Sequence, residues 1–238
     1  MGAGRARERA GETGDAASGA DPALGAVRRV PTQARSRQRV EAILDAAEAL
    51  VVQQGVEALT TRAIAEHAGV PVASLYQYFG DKEAVLLALA GRDTAEMDDQ
   101  VAADLAALEE VGELSVAAVV RTAMEAFVAV YRRRPAFVEI YLRGRGNAAV
   151  ARFGRAHNIR IAEALRDFAL ERGLCRDDLS PAAAELAVEV GDRVFQLAYE
   201  HDAEGDPTLV EEGVLMMTAY LERYATAAGL DGLSATAG

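Results

Sequence analysis

The sequence is poor in the residue types that form disulfides, metal sites and membrane spans. It has one cysteine, Cys175, and three histidines, so an internal disulfide is excluded and a metal site at ordinary ligand spacing is not expected. No run of about 18 apolar residues is present, so we expect no membrane span. No apolar segment follows the first arginines, unlike in a secretory signal. These features predict a cytoplasmic protein without a metal or cofactor.

Alternating β-branched segments bounded by turns, the pattern of β-strands, are also missing. Alanine, leucine, glutamate and arginine dominate, and these residues favour helices. Apolar positions recur at spacings of three and four, as Ile43, Leu44 and Ala47 do. We therefore predict an all-α protein of about nine helices, bounded by capping residues and glycines. The predicted helices run from about Thr32–Ser36 to Gln54, from Thr60 to before Gly69, and over Pro71–Phe79, Lys82–Leu108, Ser115–Arg133, Pro135–Leu142, Asn147–Arg172, Pro181–Asp202 and Pro207–Ala227.

Composition and helix boundaries divide the chain into four segments. Residues 1–33 are rich in Ala, Gly and Arg, and the absence of apolar periodicity predicts a disordered arm. Residues 34–81 form a small N-terminal domain of three predicted helices. Residues 82–228 form a larger helical domain, and residues 229–238 are predicted to be a flexible tail.

The net charge of −12 is distributed unevenly. Residues 28–82 hold seven basic and six acidic residues, whereas residues 83–238 hold fifteen basic and twenty-seven acidic ones. Residues 28–39 contain five arginines and no acid. For Arg28 and Arg29, a solvated charge run and a contact with DNA are equally good interpretations. Because an acidic body repels phosphate, contact with nucleic acid is expected at the N-terminal end only.

The segment Thr60–Phe79 has the pattern of a helix-turn-helix. Ile64 and Leu75 mark the inner faces of two short helices, and Gly69 stands where the turn needs a left-handed backbone. The outward positions lack Glu, Asp and Lys, which is unusual for a surface that only meets water. Small side chains permit close entry into the major groove, an amide can pair with adenine, and hydroxyls and lysine can bind phosphates. The predicted DNA contacts are Arg35, Arg37, Thr60, Thr61, Val72, Ala73, Ser74, Tyr76, Gln77, Tyr78 and Lys82, with Gln77 as the main base reader.

Residues 36–90 resemble the N-terminal domain of the tetracycline-repressor (TetR) family of bacterial transcription regulators. The resemblance is carried by the segments Thr60–Ala65, Ala68–Val70, Ser74–Phe79 and Asp81–Glu83. It implies an all-α homodimer whose two recognition helices enter successive major grooves of a palindromic operator. It also implies that a small effector binds among the middle helices, moves the long fourth helix and releases DNA. Most members of the family repress transcription.

The predicted middle helices carry aromatic and polar residues that can line an effector pocket or belong to ordinary core. For His157, a hydrogen bond to an effector and a structural role remain alternatives. Arg143 and Arg145 are interpreted either as solvated or as a clamp for an anionic effector. The pocket candidates are Phe127, Tyr131, Tyr141, His157 and Phe168, with Phe137 considered beside them.

The last two predicted helices have broad apolar faces, and the resemblance implies that they form a four-helix dimer interface. Gly191 and Gly213 lie inside these helices at a cost of about 1 kcal/mol each. Close approach across the dimer interface and packing within one subunit would each explain them. The interface candidates are Leu186, Val190, Val194, Leu197, Val210, Val214, Met217 and Leu221.

Together these patterns predict a ligand-responsive transcriptional repressor that binds operator DNA as a homodimer and is released by a small molecule of unknown identity. The alternative is a DNA-binding protein without an effector or under the control of a protein partner. An enzyme is not expected, because no Ser/His/Asp or Cys/His order, phosphate-binding glycine loop or paired carboxylates were found. A cavity among the C-terminal helices would favour the ligand-responsive interpretation, and a filled core would favour the alternative.

Overall fold

The computed structural model describes residues 34–144 and 147–230. The predicted arm at 1–33, Arg145 and the tail beyond Leu230 lie outside the described residues. Within them the chain forms ten α-helices and no β-strand. The helices are α1 (Ala34–Gln54), α2 (Thr61–His67), α3 (Val72–Tyr78), α4 (Lys82–Glu110), α5 (Val116–Arg133), α6 (Pro135–Phe137), α7 (Ala148–Glu171), α8 (Pro181–Ala198), α9 (Pro207–Leu221) and α10 (Ala227–Leu230), with a π-helical segment (Val138–Arg143) after α6 and a 3₁₀ turn (Glu222–Tyr224) after α9.

Six of the helices start at a polar side chain that accepts a backbone N–H from the first turn. Such a cap pairs a donor that the helix itself leaves unpaired. Because these signals are local, the predicted helix starts agree with the structure to within a residue or two. The caps are Thr60, Asp81, Ser115, Asn147, Ser180 and Asp206.

The ends of the last two long helices differ from prediction. α8 stops at Ala198 instead of Asp202, because the N–H of Asp206 donates to the Ala198 carbonyl at 2.9 Å and closes the turn. α9 stops at Leu221 instead of Ala227. There the guanidinium of Arg176 donates to the carbonyls of Arg223 and Ala225, at 2.7 and 2.9 Å, and holds the chain in a 3₁₀ turn.

The helix predicted over Pro135–Leu142 is also different. It is a single α-helical turn, α6, that continues as the π-helical segment Val138–Arg143. Arg143 at its end donates to the Tyr199 carbonyl at 2.9 Å and to Glu139 at 2.6 Å. Arg143 is therefore half-buried and engaged, neither solvated nor lining the cavity described below.

The helix α4 connects the three hydrophobic cores of the chain. It has 29 residues and is therefore about 43 Å long. Its Leu89 lies in the core of the N-terminal helices, Met97 in a second core with α5, α8 and α9, and Leu105 in a third core with α5 and α7. The N-terminal core also contains Ile140 and Val150 from beyond α5. One helix thus joins the small N-terminal bundle to the body.

The packing of α8 against α9 explains the two internal glycines. A Cβ added to Gly213 would lie 2.6 Å from Cγ1 of Val194, and one added to Gly191 would lie 3.1 Å from Sδ of Met217. Both contacts are within the subunit. Of the two explanations that the sequence left open, the intrasubunit one is supported.

Candidate DNA-reading surface and effector cavity

The helix-turn-helix is built from two helices of seven residues each, α2 and α3. Helices this short depend on tertiary packing, and Ile64 and Leu75 are completely buried against α1 and α4. Gly69 has φ +65°, the left-handed conformation that the turn was predicted to need. The Val70 N–H then donates to the Ala65 carbonyl at 3.0 Å. These contacts fix the angle at which α3 faces solvent.

The outer face of α3 is uncharged and accessible. Val72 is 38% exposed and Tyr76 44% exposed, and Ala73 and Gln77 are also exposed, while Ser74 is half-buried. Exposed valine and tyrosine with no neighbouring acid form a surface that suits a groove better than water. The predicted reading face is therefore accessible, and its contacts with bases stay predictions.

Tyr78 is the exception, because the expectation that it faces outward is wrong. It is only 5% exposed, and its hydroxyl lies 2.8 Å from Oγ of Ser36 in α1. A helix turns about 100° per residue, so Tyr78 falls beside Leu75 on the inner face. Its hydroxyl contributes to the fit of α3 on α1 rather than to an open surface.

The predicted phosphate-binding groups surround this face. Thr60 accepts from the N–H of Ala63 at 3.1 Å, and its own O–H can still donate to a phosphate. The hydroxyl of Thr61 lies 3.1 Å from that of Tyr76, which links α2 to α3. Lys82 is exposed at the start of α4. The side chains of Arg35 and Arg37 are exposed in the first turn of α1.

A charged cluster that the sequence analysis missed lies where α1, α4 and the end of α5 meet. Arg92 of α4 contacts Glu48 of α1 at 2.5 Å and Asp93 at 3.3 Å. Arg134 contacts Glu96 at 2.8 Å and approaches Asp93 to 3.9 Å. Asp93 is fully buried, and its Oδ2 has no hydrogen-bond partner among the described residues. Burial raises the pKa of Asp93 to about 6, although Arg92 opposes the shift.

A cavity lies in the body among α4, α5, α7, α8 and α9. Its main lobe has a volume of about 90 Å³, and an adjoining lobe of about 80 Å³ shares lining residues such as Val120 and Leu221. Four of the five predicted pocket residues line the main lobe: Phe127, Tyr131, Tyr141 and His157.

Phe168 does not line this cavity, and its assignment to it is wrong. It contributes instead to a surface groove between α4 and α7. There the guanidinium of Arg172 covers its ring at 4.4 Å from the ring centroid. The position of Phe168 on α7, two turns beyond Ile161 in the cavity wall, places it past the end of the main lobe.

The cavity wall contains a continuous set of aromatic rings. Phe127 stacks on Phe195 with centroids 5.6 Å apart, and Tyr131 meets Phe195 edge-on at 5.1 Å. Phe137 stacks on Tyr131 at 5.9 Å and on Tyr141 at 5.0 Å. Phe195 was missed in the sequence, because a single phenylalanine in an apolar helix looks like ordinary core.

Three polar side chains reach the cavity wall from α7 and α8. Nε2 of His157 lies 3.6 Å from Oδ1 of Asp98, and the amide of Asn158 donates to Glu189 at 3.1 Å. Asp192 accepts from Gln196 at 2.6 Å. Asn158 and Asp192 were not singled out in the sequence, because polar residues on an amphipathic helix normally face water.

Tyr131 is buried in the cavity wall. Burial raises its pKa well above the ordinary value, and the charges of Tyr141 and Asp192 add to the shift. The phenol therefore stays neutral and can donate a hydrogen bond into the cavity wall throughout the physiological range.

The apolar surface of α8 and α9 only partly follows the prediction. Val214 and Met217 are buried in their own subunit, so their assignment to a dimer interface is wrong. Val194 is buried in the same core, but it also lines the groove between α8 and α9. Val190, Val210 and Leu221 are half-buried against the same core. The exposed apolar residues of the two helices, hereafter the α8–α9 face, are Leu186, Leu197, Leu209, Leu215 and Met216.

The described residues contain neither a membrane-spanning helix nor a metal-binding cluster. No helix among residues 34–144 and 147–230 is long and apolar enough to cross a membrane. The same residues hold no group of three or more His, Cys, Asp or Glu side chains placed to bind a metal ion.

Comparison with known proteins identifies the family. A model described as "Bacterial regulatory proteins, tetR family" matches residues 43–89, and a "Tetracyclin repressor-like, C-terminal domain" model matches residues 115–221. A solved TetR-family transcriptional regulator from Streptomyces coelicolor is 31% identical, with a TM-score of 0.62, over 78% of this chain and 99% of that one. The chain belongs to the TetR family. It is therefore a transcriptional regulator with an N-terminal helix-turn-helix, and the family's role is regulation rather than catalysis.

Curated relatives match only a short part of the chain. The HTH-type transcriptional repressor KstR of Mycolicibacterium smegmatis is 42% identical over 62 residues, and that of Mycobacterium tuberculosis is 40% identical over 62 residues. These matches cover 26% of this chain and 30% and 28% of the relatives. The similarity to KstR thus spans less than a third of its length.

Proposed function

We propose that this TetR-family regulator is a ligand-responsive repressor that binds a palindromic operator as a homodimer. A small molecule entering the cavity would displace α4 and release the DNA. The observation that carries the proposal is the continuity of α4. Lys82 stands at its start beside α3, and Met97 on the same helix lines the cavity.

The cavity supports a ligand-responsive function over an effector-independent one. If side chains filled this core, no small molecule could bind beside α4 and displace it. Here α4 packs in the N-terminal core near its start, and further along Met97 borders a small, mostly apolar cavity within the second core. A small molecule that separated Met97 from α5 would therefore shift the helix that carries Lys82.

The α8–α9 face supports a homodimer. It carries five exposed large apolar side chains on two adjacent helices, and patches of this kind mark protein–protein contacts. A groove between the helices is lined by Leu197, Leu209, Leu215 and Met216, and a second copy of the face could fill it with the same residues by two-fold symmetry. The repressor name of the KstR relatives supports the direction of regulation.

The proposal is tested first by DNA binding. Fluorescence anisotropy with the intergenic DNA beside the protein's own coding region should show saturable binding that weakens steeply with salt. Unrelated DNA of equal length serves as the comparison. A folded protein that fails to bind at low salt, or that binds both DNAs equally, would refute the assignment of a sequence-specific operator.

Gln77→Ala tests the reading face. If Gln77 pairs with adenine, the substitution should weaken operator binding by about 1–3 kcal/mol and relax the preference at one base pair. Gln53→Ala is the matched control, because Gln53 is also exposed but lies at the far end of α1. Unchanged operator preference for the Gln77 variant would show that another residue reads the base.

Lys82→Ala tests the phosphate contact. It should weaken binding to all DNA sequences about equally and reduce the salt slope by about one. An unchanged slope, measured across the same salt series as the wild type, would place Lys82 away from the phosphates.

A further inference from the structure

We propose that the cavity binds a small aromatic amine in its protonated form, with its ring among the aromatic side chains and its ammonium group facing Asp192. This inference rests on the proposed ligand-responsive function and adds the chemical class of the effector. Of the described residues that line the main lobe, Asp192 alone carries a carboxylate, and none is a lysine or arginine.

The absence of a basic side chain from this lining argues against an acidic ligand. An anion desolvated in apolar surroundings needs a cation or several donors to compensate for lost water. The donors present, Tyr131, Tyr141, Asn158 and His157, share the lobe with a carboxylate. That carboxylate would repel a second negative charge. A cation would instead be attracted to Asp192 and would leave these side chains in place.

The aromatic rings add a second attraction of the same sign. Phe127, Tyr131 and Phe195 contact one another around the main lobe with centroid separations of 5.1 to 6.2 Å. The face of an aromatic ring attracts a cation, more strongly where water is excluded. The stacked and edge-on rings also offer flat apolar surface to a planar group. The Asp192 carboxylate and the faces of the aromatic rings therefore both favour an aromatic ligand that carries a positive charge.

The cavity volume limits the size of this ligand. Lobes of about 90 and 80 Å³ together slightly exceed the roughly 150 Å³ of an engineered cavity that holds benzene. A ligand with one ring and a short substituent fits, whereas a fused polycyclic ligand would require the helices around the cavity to move apart. The larger groove beside α4 and α7, about 460 Å³, shares Ile161 and Leu165 with the main lobe and is the direction in which a longer substituent could extend.

Among the described residues that line the main lobe, His157 is the only histidine. It faces Asp98 of α4 at 3.6 Å and Arg160 of its own helix at 3.4 Å. In its protonated form it would partly offset Asp192. Measurements at pH 8 keep an ordinary imidazole neutral and a primary alkylamine protonated.

The test is calorimetric titration of the full-length protein at pH 8 with three probes of similar shape: 2-phenylethylamine, 2-phenylethanol and 3-phenylpropanoate. The amine is expected to bind about tenfold more tightly than the alcohol, and the carboxylate is expected to bind most weakly. Asp192→Asn should weaken the amine about tenfold and leave the alcohol unchanged, whereas Asp192→Glu should retain the amine preference. Asp177→Asn, at an exposed position after α7, is the control and should change none of the three.

The proposal is overturned if the carboxylate or the alcohol binds as tightly as the amine, or if no probe binds at millimolar concentration. The wild-type ranking decides this even if the Asp192→Asn variant does not fold. Operator release, followed by anisotropy, separates the two proposals. An amine that binds through Asp192 without releasing DNA supports the ligand class and contradicts the proposed mechanism of regulation. Release of the operator DNA by 3-phenylpropanoate alone supports the proposed mechanism of regulation and contradicts the ligand class.

Discussion

Replacing Asp93 with asparagine should change how the stability of the protein depends on pH. Asp93 is fully buried between Arg92 and Arg134 of the charged cluster, and Glu48 adds an opposing negative charge. Burial is the largest influence and raises the pKa of Asp93 from 3.8 to about 6. The folded protein therefore holds this proton more tightly than the unfolded chain does.

Proton linkage determines whether the stability rises or falls with pH. Between about pH 4 and 6 the folded state binds more protons at Asp93 than the unfolded state, so stability falls as pH rises. The rise in the pKa of Asp93 from 3.8 to about 6 corresponds to about 3 kcal/mol in the free energy of unfolding. This stabilisation is present below pH 4 and is lost above pH 6. Asparagine cannot ionise, so the variant should lack this component.

The assay is urea unfolding at one fixed protein concentration from pH 4 to 8. Other carboxylates titrate in both proteins, so the quantity to follow is wild type minus Asp93→Asn. That difference should fall by about 2.5 kcal/mol from pH 4 to pH 7, because a small part of the effect is already lost at pH 4. Asp99→Asn, on the exposed side of α4, should give a difference that does not vary with pH in this way. A difference that rises with pH would refute the reasoning, because it would mean that attraction to Arg92 outweighs the cost of burial.

Three further substitutions test the packing. Gly213→Ala should destabilise the protein by about 1–3 kcal/mol in urea unfolding, since the new Cβ would meet Val194 at 2.6 Å; equal stability would show that α9 can move away freely. Asp81→Ala removes the cap on the N–H of Ala84 at 2.8 Å and should cost about 1 kcal/mol, with Asp81→Ser retaining most of it. Leu215→Asp on the α8–α9 face should shift sedimentation from dimer to monomer while preserving helicity, and an unchanged sedimentation coefficient would place the interface elsewhere.

The parts of the structure that local signals determine could be predicted from the sequence. The cap at Thr60, the left-handed glycine at Gly69 and the spacing of Ile64 and Leu75 all act within twenty residues of chain. Together they define a helix-turn-helix without knowledge of the rest of the protein. Four aromatic residues of the cavity, Phe127, Tyr131, Phe137 and Tyr141, were also identified, because large apolar side chains on middle helices have few other places to lie, whereas Phe195 was missed.

The parts that depend on distant contacts could not be predicted. The hydroxyl of the buried Tyr78 is paired with Ser36, 42 positions earlier in the chain, and no local signal announces that partner. The charged cluster around Asp93 forms only when α1 and the end of α5 both reach α4. On α8 and α9, apolar residues occur on more than one side of each helix, so periodicity alone does not say which side meets the subunit's own core. Val214 was therefore assigned to a partner that it does not face.

The course of α4 through all three cores has a consequence for engineering chimeric sensors. A DNA-binding head cut at residue 81 and fused to another body would lose the α4 residues Val85 and Leu86, as well as Ile140 and Val150, from its own core. A workable graft would have to carry the first two turns of α4 and supply a matching surface from the new host. Under the proposed reading of DNA by α3, specificity is exchanged more easily by substituting its outer residues Val72, Ala73 and Gln77, which are exposed and leave that core intact.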